Sequence, residues 1–132
     1  MSDLLSPRSL ALAFGILSIC YGVKALIYPS DFADEYGFPS DKAGMVPNPD
    51  LLPTGGRSPF VIAYGGRTIA LGAAIVLLAW ENEMNAAGSV VFCCAISGMI
   101  DTVNCYLWNK PVLQHAIGAV ALSAFGVWLR LQ

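Results

Sequence analysis

Four apolar stretches dominate the sequence, and each is about as long as a helix that crosses a bilayer, which needs roughly 20 residues. These stretches contain 19, 21, 21 and 18 residues and cover 10–28, 60–80, 88–108 and 112–129. Of the 7 basic and 9 acidic residues, only Lys24, Arg67 and Asp101 lie inside them. A soluble bundle would carry a polar stripe along each helix. The pattern predicts an all-α fold: one integral membrane domain with four antiparallel transmembrane helices.

The composition excludes several other classes of protein. Apolar residues make up 56% of the chain, and charged residues make up 12%, about half the usual ~25%. This argues against disorder, and a net charge of -2 argues against nucleic acid as a partner. The first apolar stretch is longer than the apolar region of a signal peptide, about 7–15 residues, so we expect it to be retained.

The connection over residues 29–59 differs from the rest of the chain because it holds six of the eight prolines and five of the nine acids. We expect a long proline-rich loop or lid between helices 1 and 2, since loops of this length are often functional. A short helix is predicted at 31–36, with Phe32 and Tyr36 on one face, resting on the bundle or on lipid headgroups. The other two connections are short, which makes consecutive helices antiparallel neighbours.

The polar residues inside the apolar stretches converge at one depth. At 1.5 Å per helical residue, Lys24 lies about 6 Å from the end of its stretch, and Arg67 and Asp101 lie about 10 Å from the ends of theirs. Asn104 and His115 lie about 5–6 Å deep. All five fall in the half of the bilayer next to the long loop, which predicts a polar site there.

Helical periodicity places these groups on faces suited to the bundle interior. A single Arg or Asp in mid-membrane costs about 2.5–3.5 kcal/mol, so we expect Arg67 and Asp101 to pair. An ionisable residue inside a membrane is a functional-site hypothesis by default. The predicted catalytic residues are Asp101, Arg67, His115 and Tyr64. The predicted substrate-binding residues are Asn104, Lys24, Tyr21 and Ser97.

Structural explanations compete with this interpretation. Lys24 could extend its amine to the interface, and Arg67 with Asp101 could form an ion pair that only fixes helix register. Tyr21 and Tyr64 could serve packing alone. One His with scattered Cys gives no metal-ligand spacing, so no metal is predicted, and no cofactor motif is present. Gly65-Gly66 indicates close helix packing.

The order of short motifs resembles a known family. The motifs are Tyr28-Pro29, Tyr36-Gly37-Phe38-Pro39, Gly66-Arg67, Leu71-Gly72, Asp101 and His115. Over residues 13–129 the chain resembles the four-span membrane family catalogued as domain of unknown function 4267 and, more distantly, the DoxX-like proteins. The resemblance implies four transmembrane helices and a polar signature of Arg67, Asp101 and His115. It also implies that family members occur in fungi, some of them encoded beside genes for polyketide or terpenoid biosynthesis. The DoxX likeness would imply a quinone-linked redox partner.

Three functions are consistent with these features. The first is a cofactor-independent acid–base enzyme in natural-product biosynthesis, at the endoplasmic reticulum or another internal membrane. It would act on a lipophilic small molecule by opening or hydrolysing an epoxide, by cyclisation or by isomerisation. Asp101 would be the general base. Arg67 would stabilise negative charge, and His115 or Tyr64 would supply a proton.

The second is a non-catalytic binding or accessory protein, and the third is a proton-coupled carrier acting as a homo-oligomer. The enzyme hypothesis requires one pocket that touches Asp101, Arg67 and His115 together. An accessory protein predicts a filled interior, and a carrier predicts access from both sides of the membrane.

Overall fold

In the computed structural model, the described residues are 6–29, 32, 59–107 and 112–132, with 59 and 60 described by their backbone alone. They form four α-helices and, within these ranges, no strand. The helices are α1 Pro7–Ile27, α2 Pro59–Trp80, α3 Met84–Leu107 and α4 Leu113–Arg130. Each predicted stretch coincides with one of these helices in the described residues, which confirms the all-α prediction.

Three of the helices are long and apolar enough to cross a membrane: Pro7–Ile27, Val61–Trp80 and Met84–Leu107. The chain is therefore an integral membrane protein. The helix α4 has 18 residues, about 27 Å of rise, and packs along the membrane-length helix α3. The fourth crossing stays a prediction from the sequence.

A tight turn joins α2 to α3 and makes them antiparallel neighbours. Asn82 adopts a left-handed backbone conformation with φ 65°, which Asn tolerates better than most residues. The N–H of Glu83 donates to the carbonyl of Leu78 at 2.8 Å, and the N–H of Asn82 donates to the carbonyl of Ala79 at 3.2 Å. These two bonds form a Schellman motif, which ends α2 and satisfies carbonyls that the helix leaves open.

Glycines bring α1 and α2 into backbone contact at two levels. A Cβ atom at Gly22 would lie 2.7 Å from the carbonyl oxygen of Gly65, and one at Gly72 would lie 2.7 Å from that of Gly15. The two levels are seven residues, about two turns, apart on each helix. Small residues are what allow such close approach between membrane helices. The packing predicted for Gly65 is present, whereas Gly66 is exposed and contacts nothing within 4 Å of a Cβ position.

The second helix pair, α3 with α4, uses the same device. A Cβ atom at Gly88 would lie 2.6 Å from the carbonyl oxygen of Gly126, and one at Gly126 would lie 2.7 Å from the backbone nitrogen of Phe92. Further along, a Cβ atom at Gly98 would lie 3.3 Å from Cβ of Ala119. This pair is therefore tightest near the chain termini and slightly wider towards the other end.

The two helix pairs touch each other far less than their members touch within each pair. An apolar cluster fills the bundle at the end that holds the chain termini: Ala11, Ile75, Ala79, Met84, Val91 and Leu129. Next to it, the rings of Phe14 and Phe125 meet edge to face, with centroids 5.8 Å apart. Beyond this contact, towards the other end, the pairs separate.

At that other end, Phe32 lies fully buried between α1 and α2. Its backbone N–H donates to the carbonyl of Tyr28 at 3.1 Å, one helical turn back. The ring lies 5.3 Å from that of Tyr21 and 5.2 Å from that of Tyr64. The predicted contact of Phe32 with the bundle is therefore present. Tyr36 and the rest of the predicted 31–36 helix and proline-rich loop lie outside the described residues.

Gly22→Ala and Gly126→Ala should each destabilise the protein by about 1–3 kcal/mol, because the added methyl group meets backbone atoms that cannot move aside. Gly66→Ala is the matched control, since its methyl group has open space, and Ala favours a helix over Gly by about 1 kcal/mol. Thermal unfolding in detergent measures all three. A Gly22→Ala variant as stable as Gly66→Ala would contradict the proposed helix contact.

Candidate functional site

A cavity of about 480 Å³ lies where the two helix pairs separate, and all four helices contribute to its wall. Its volume falls within the range of about 300–1,000 Å³ that is usual for sites binding small molecules. Three of the four predicted catalytic residues come from three different helices: Arg67 from α2, Asp101 from α3 and His115 from α4. All three line this cavity, so the structure brings the predicted polar signature together.

The cavity is polar at one end and apolar at the other. Its polar lining residues near the long connection are Tyr21, Tyr64, Arg67, Asp101, Gln114 and His115. Its apolar lining residues towards the middle of the bundle are Phe14, Leu17, Leu71 and Leu122. The seven residues from His115 to Leu122 correspond to about 10 Å along α4. The arrangement suits a molecule with one oxygenated end and an apolar body.

Tyr64 connects the groups of the polar end. Its hydroxyl donates a long hydrogen bond, 3.5 Å, to Oδ2 of Asp101. The guanidinium carbon of Arg67 lies 4.8 Å from the centroid of the Tyr64 ring, within the range of a cation–π interaction. Phe32 packs against the same ring. Tyr64 is thus held by an aromatic ring, a cation and a carboxylate, which fixes the position of its hydroxyl.

The expected direct ion pair between Arg67 and Asp101 is not formed; no salt bridge joins them in the part of the chain that the structure describes. Arg67 instead stacks on Tyr64, one turn earlier in α2, and Tyr64 bonds Asp101. Arg67, Asp101 and His115 nevertheless line the same cavity. The cation thus contacts the carboxylate through the phenol between them.

Hydroxyl groups on the cavity wall differ in their hydrogen bonding. Ser18 donates to the carbonyl of Phe14 and Thr68 donates to that of Tyr64, both at 2.9 Å and both within one helix. Such bonds satisfy a hydroxyl at little cost in an apolar environment. Ser97 also lines the cavity, and its side chain forms no hydrogen bond to any other described residue. Its hydroxyl is therefore available to a bound molecule.

Two predicted substrate-binding residues, Lys24 and Asn104, do not line the cavity. The amine of Lys24 lies 5.9 Å from the centroid of the Tyr21 ring. Lys24 follows Tyr21, which lines the cavity, by about one helical turn. Asn104 is exposed, whereas the next residue, Cys105, is buried. At 100° per residue Asn104 lies near the face that carries Ser97, but the lining residues of α3 extend no further along the helix than Asp101. The prediction that Asn104 belongs to the site is therefore not supported by its position. Tyr21 and Ser97 do line the cavity.

Among the lining residues that the sequence analysis did not assign to the site are Gln114 and Gly118. The amide of Gln114 stands one residue before His115, so its shallow position inside the fourth apolar stretch could have signalled it. Gly118 could not have been found in this way, because no sequence signal separates a glycine that packs helices from a glycine that lines a cavity. Among the described residues, no group of three or more His, Cys, Asp or Glu side chains is placed to hold a metal ion.

Arg67→Ala should lower the free energy of unfolding by about 0.5–2 kcal/mol, the size of a cation–π contact. Breaking a buried ion pair would cost about 3–5 kcal/mol. A double-mutant cycle with Tyr64→Leu, followed by thermal unfolding in detergent, separates the two. In the Tyr64→Leu background, Arg67→Ala should lower the free energy of unfolding only slightly further. A full loss in both backgrounds would contradict the stacking arrangement.

Phe32→Ala should destabilise the protein by about 3–5 kcal/mol, because it removes a fully buried ring that packs on two tyrosines. Tyr28→Ala is the matched control, since this aromatic side chain in the same turn is 58% exposed. The measurement is again thermal unfolding in detergent. Equal stability of the two variants would show that the Phe32 ring does not support the bundle.

A comparison of the whole chain with known proteins identifies its family. The chain belongs to the family of the domain of unknown function DUF4267, whose model matches residues 4–129. No curated protein and no solved structure matches the chain.

Proposed function

We propose that this member of the DUF4267 family is a membrane-embedded enzyme that performs acid–base chemistry on a lipophilic small molecule. The reaction class is epoxide opening or hydrolysis, cyclisation or isomerisation. The observation that supports it is one cavity in which a carboxylate, a guanidinium, an imidazole and a phenol share the polar end, with apolar residues at the other end. General acid–base catalysis needs groups of this kind within reach of one reacting centre.

For epoxide opening, the proton transfers balance within this set of residues. The Asp101 carboxylate takes a proton from a water or from a substrate hydroxyl. That oxygen forms a bond to an epoxide carbon as the carbon–oxygen bond of the ring breaks. The released alkoxide takes a proton from the Tyr64 phenol. The proton gained by Asp101 then returns to Tyr64 along the hydrogen bond between them, and both residues recover their starting states.

Arg67 and His115 assist this cycle electrostatically. The Arg67 guanidinium over the Tyr64 ring favours negative charge on the phenol oxygen as its proton leaves. His115 lines the same end of the cavity and offers a second proton donor to the departing oxygen. Lys24 and Asn104 take no part in the proposed reaction, because neither residue lines the cavity.

The apolar end of the cavity supports a substrate that partitions into bilayers. We place the reaction in natural-product biosynthesis at an internal membrane such as the endoplasmic reticulum. A homo-oligomer is compatible with this arrangement, since each chain contributes a whole cavity. A non-catalytic binding protein could use the same cavity, so it is the alternative that an experiment must separate. A carrier is less favoured, because the apolar cluster around Ile75 and Leu129 fills the opposite end of the bundle.

Asp101→Asn should lower product formation by about 10²–10⁴-fold, the usual contribution of a general base, while the protein still inserts and folds. The measurement is metabolite profiling by mass spectrometry in a host that expresses each variant with candidate epoxides and polyenes.

The control is Asn104→Ala, on the same helix but outside the cavity, which should keep wild-type turnover. Equal product from Asp101→Asn and wild type would refute the catalytic role. A wild-type protein that binds the candidates and converts none would support the binding-protein alternative.

A further inference from the structure

Gly118 differs from the glycines that pack helices together. It lines the cavity, and a Cβ atom placed on it would meet no other atom within 4 Å. On the same helix, a Cβ atom at Gly126 would lie 2.7 Å from a backbone nitrogen of α3. Glycine inside a helix costs about 1 kcal/mol relative to alanine, and helix packing gives no reason for that cost at Gly118.

The position of Gly118 along α4 is the second observation. It lies three residues after His115 and four before Leu122, so the three share one face of the helix. His115 belongs to the polar end of the cavity and Leu122 to the apolar end. A side chain at Gly118 would therefore project into the passage between the two ends.

We propose that Gly118 determines which molecules the cavity accepts, because its missing side chain leaves room for an apolar body to reach from the polar end to the apolar end. The ligand class is a lipophile with one oxygenated end near Asp101 and His115. Its apolar body extends about 10 Å to Leu71 and Leu122. The inference rests on the proposed function in that this ligand is taken to be the substrate.

Photo-crosslinking in proteoliposomes tests the proposal without requiring turnover. The probe is a farnesol analogue with a diazirine at its tail, which has an alcohol at one end and an apolar isoprenoid body. Peptide mapping by mass spectrometry locates the labelled residues. In the wild type, the tail should label the apolar end, at Phe14, Leu71 and Leu122.

Gly118→Leu should reduce labelling at the apolar end about tenfold or more, because its side chain occupies space that the body of the probe would fill. Gly66→Leu is the matched control. It is also a helical glycine with nothing within 4 Å of a Cβ position, but it lies outside the cavity. It should label as the wild type does. Gly118→Ala adds only a methyl group in open space, so it should fold as the wild type does. It should reduce labelling at the apolar end less than Gly118→Leu does.

Undiminished labelling of the apolar end in Gly118→Leu would overturn the proposal. So would wild-type labelling confined to exposed side chains such as Val120 and Val127. Turnover keeps the two proposals separate, since the labelling comparison is made between chains that all contain Asp101. Should Asp101→Asn turn over as the wild type does while Gly118→Leu loses labelling at the apolar end, the catalytic function fails and the role of Gly118 stands.

Discussion

Close backbone contact at glycines is the interaction on which the rest of this structure depends. In a bilayer, helices do not associate to escape water, so van der Waals packing has to hold them together. Gly15 and Gly22 on α1 meet Gly72 and Gly65 on α2, with backbone atoms near enough that no side chain would fit. The pair of α3 and α4 is joined in the same way. These contacts join the four helices into two tight pairs.

The cavity is a consequence of this pairing of the helices. Each helix uses its smallest face on its own partner, and the pairs then meet through larger side chains that fill only the end near the chain termini. The remaining gap is where Arg67 and Asp101 lie. A charged side chain facing lipid costs several kcal/mol, whereas one facing a polar cavity can keep water or a polar partner. The same packing that opens the site therefore makes its charged residues tolerable.

Much of this could be predicted from the sequence, since length, apolarity and depth are local properties. They gave four helices, their antiparallel order and the level at which Arg67, Asp101 and His115 meet. Side-chain contacts were less predictable. The depth argument matched Arg67 with Asp101, but Tyr64 lies between them, and charge and depth alone do not show which ring a guanidinium covers. Asn104 was misplaced because helical periodicity sets it near the face of Ser97 but does not show how far along α3 the cavity extends.

The central claim is that a substrate-sized space between two glycine-packed helix pairs holds an apolar molecule against Asp101 and Tyr64. A crystal structure of the wild-type protein grown from a lipid mesophase, with the lipophile that copurifies with it, tests this most directly. Elongated density should fill the gap, with its polar end beside Asp101 and its other end near Leu122. Helix pairs closed against each other with no space between them, or a lipophile bound only on the outer surface, would contradict it.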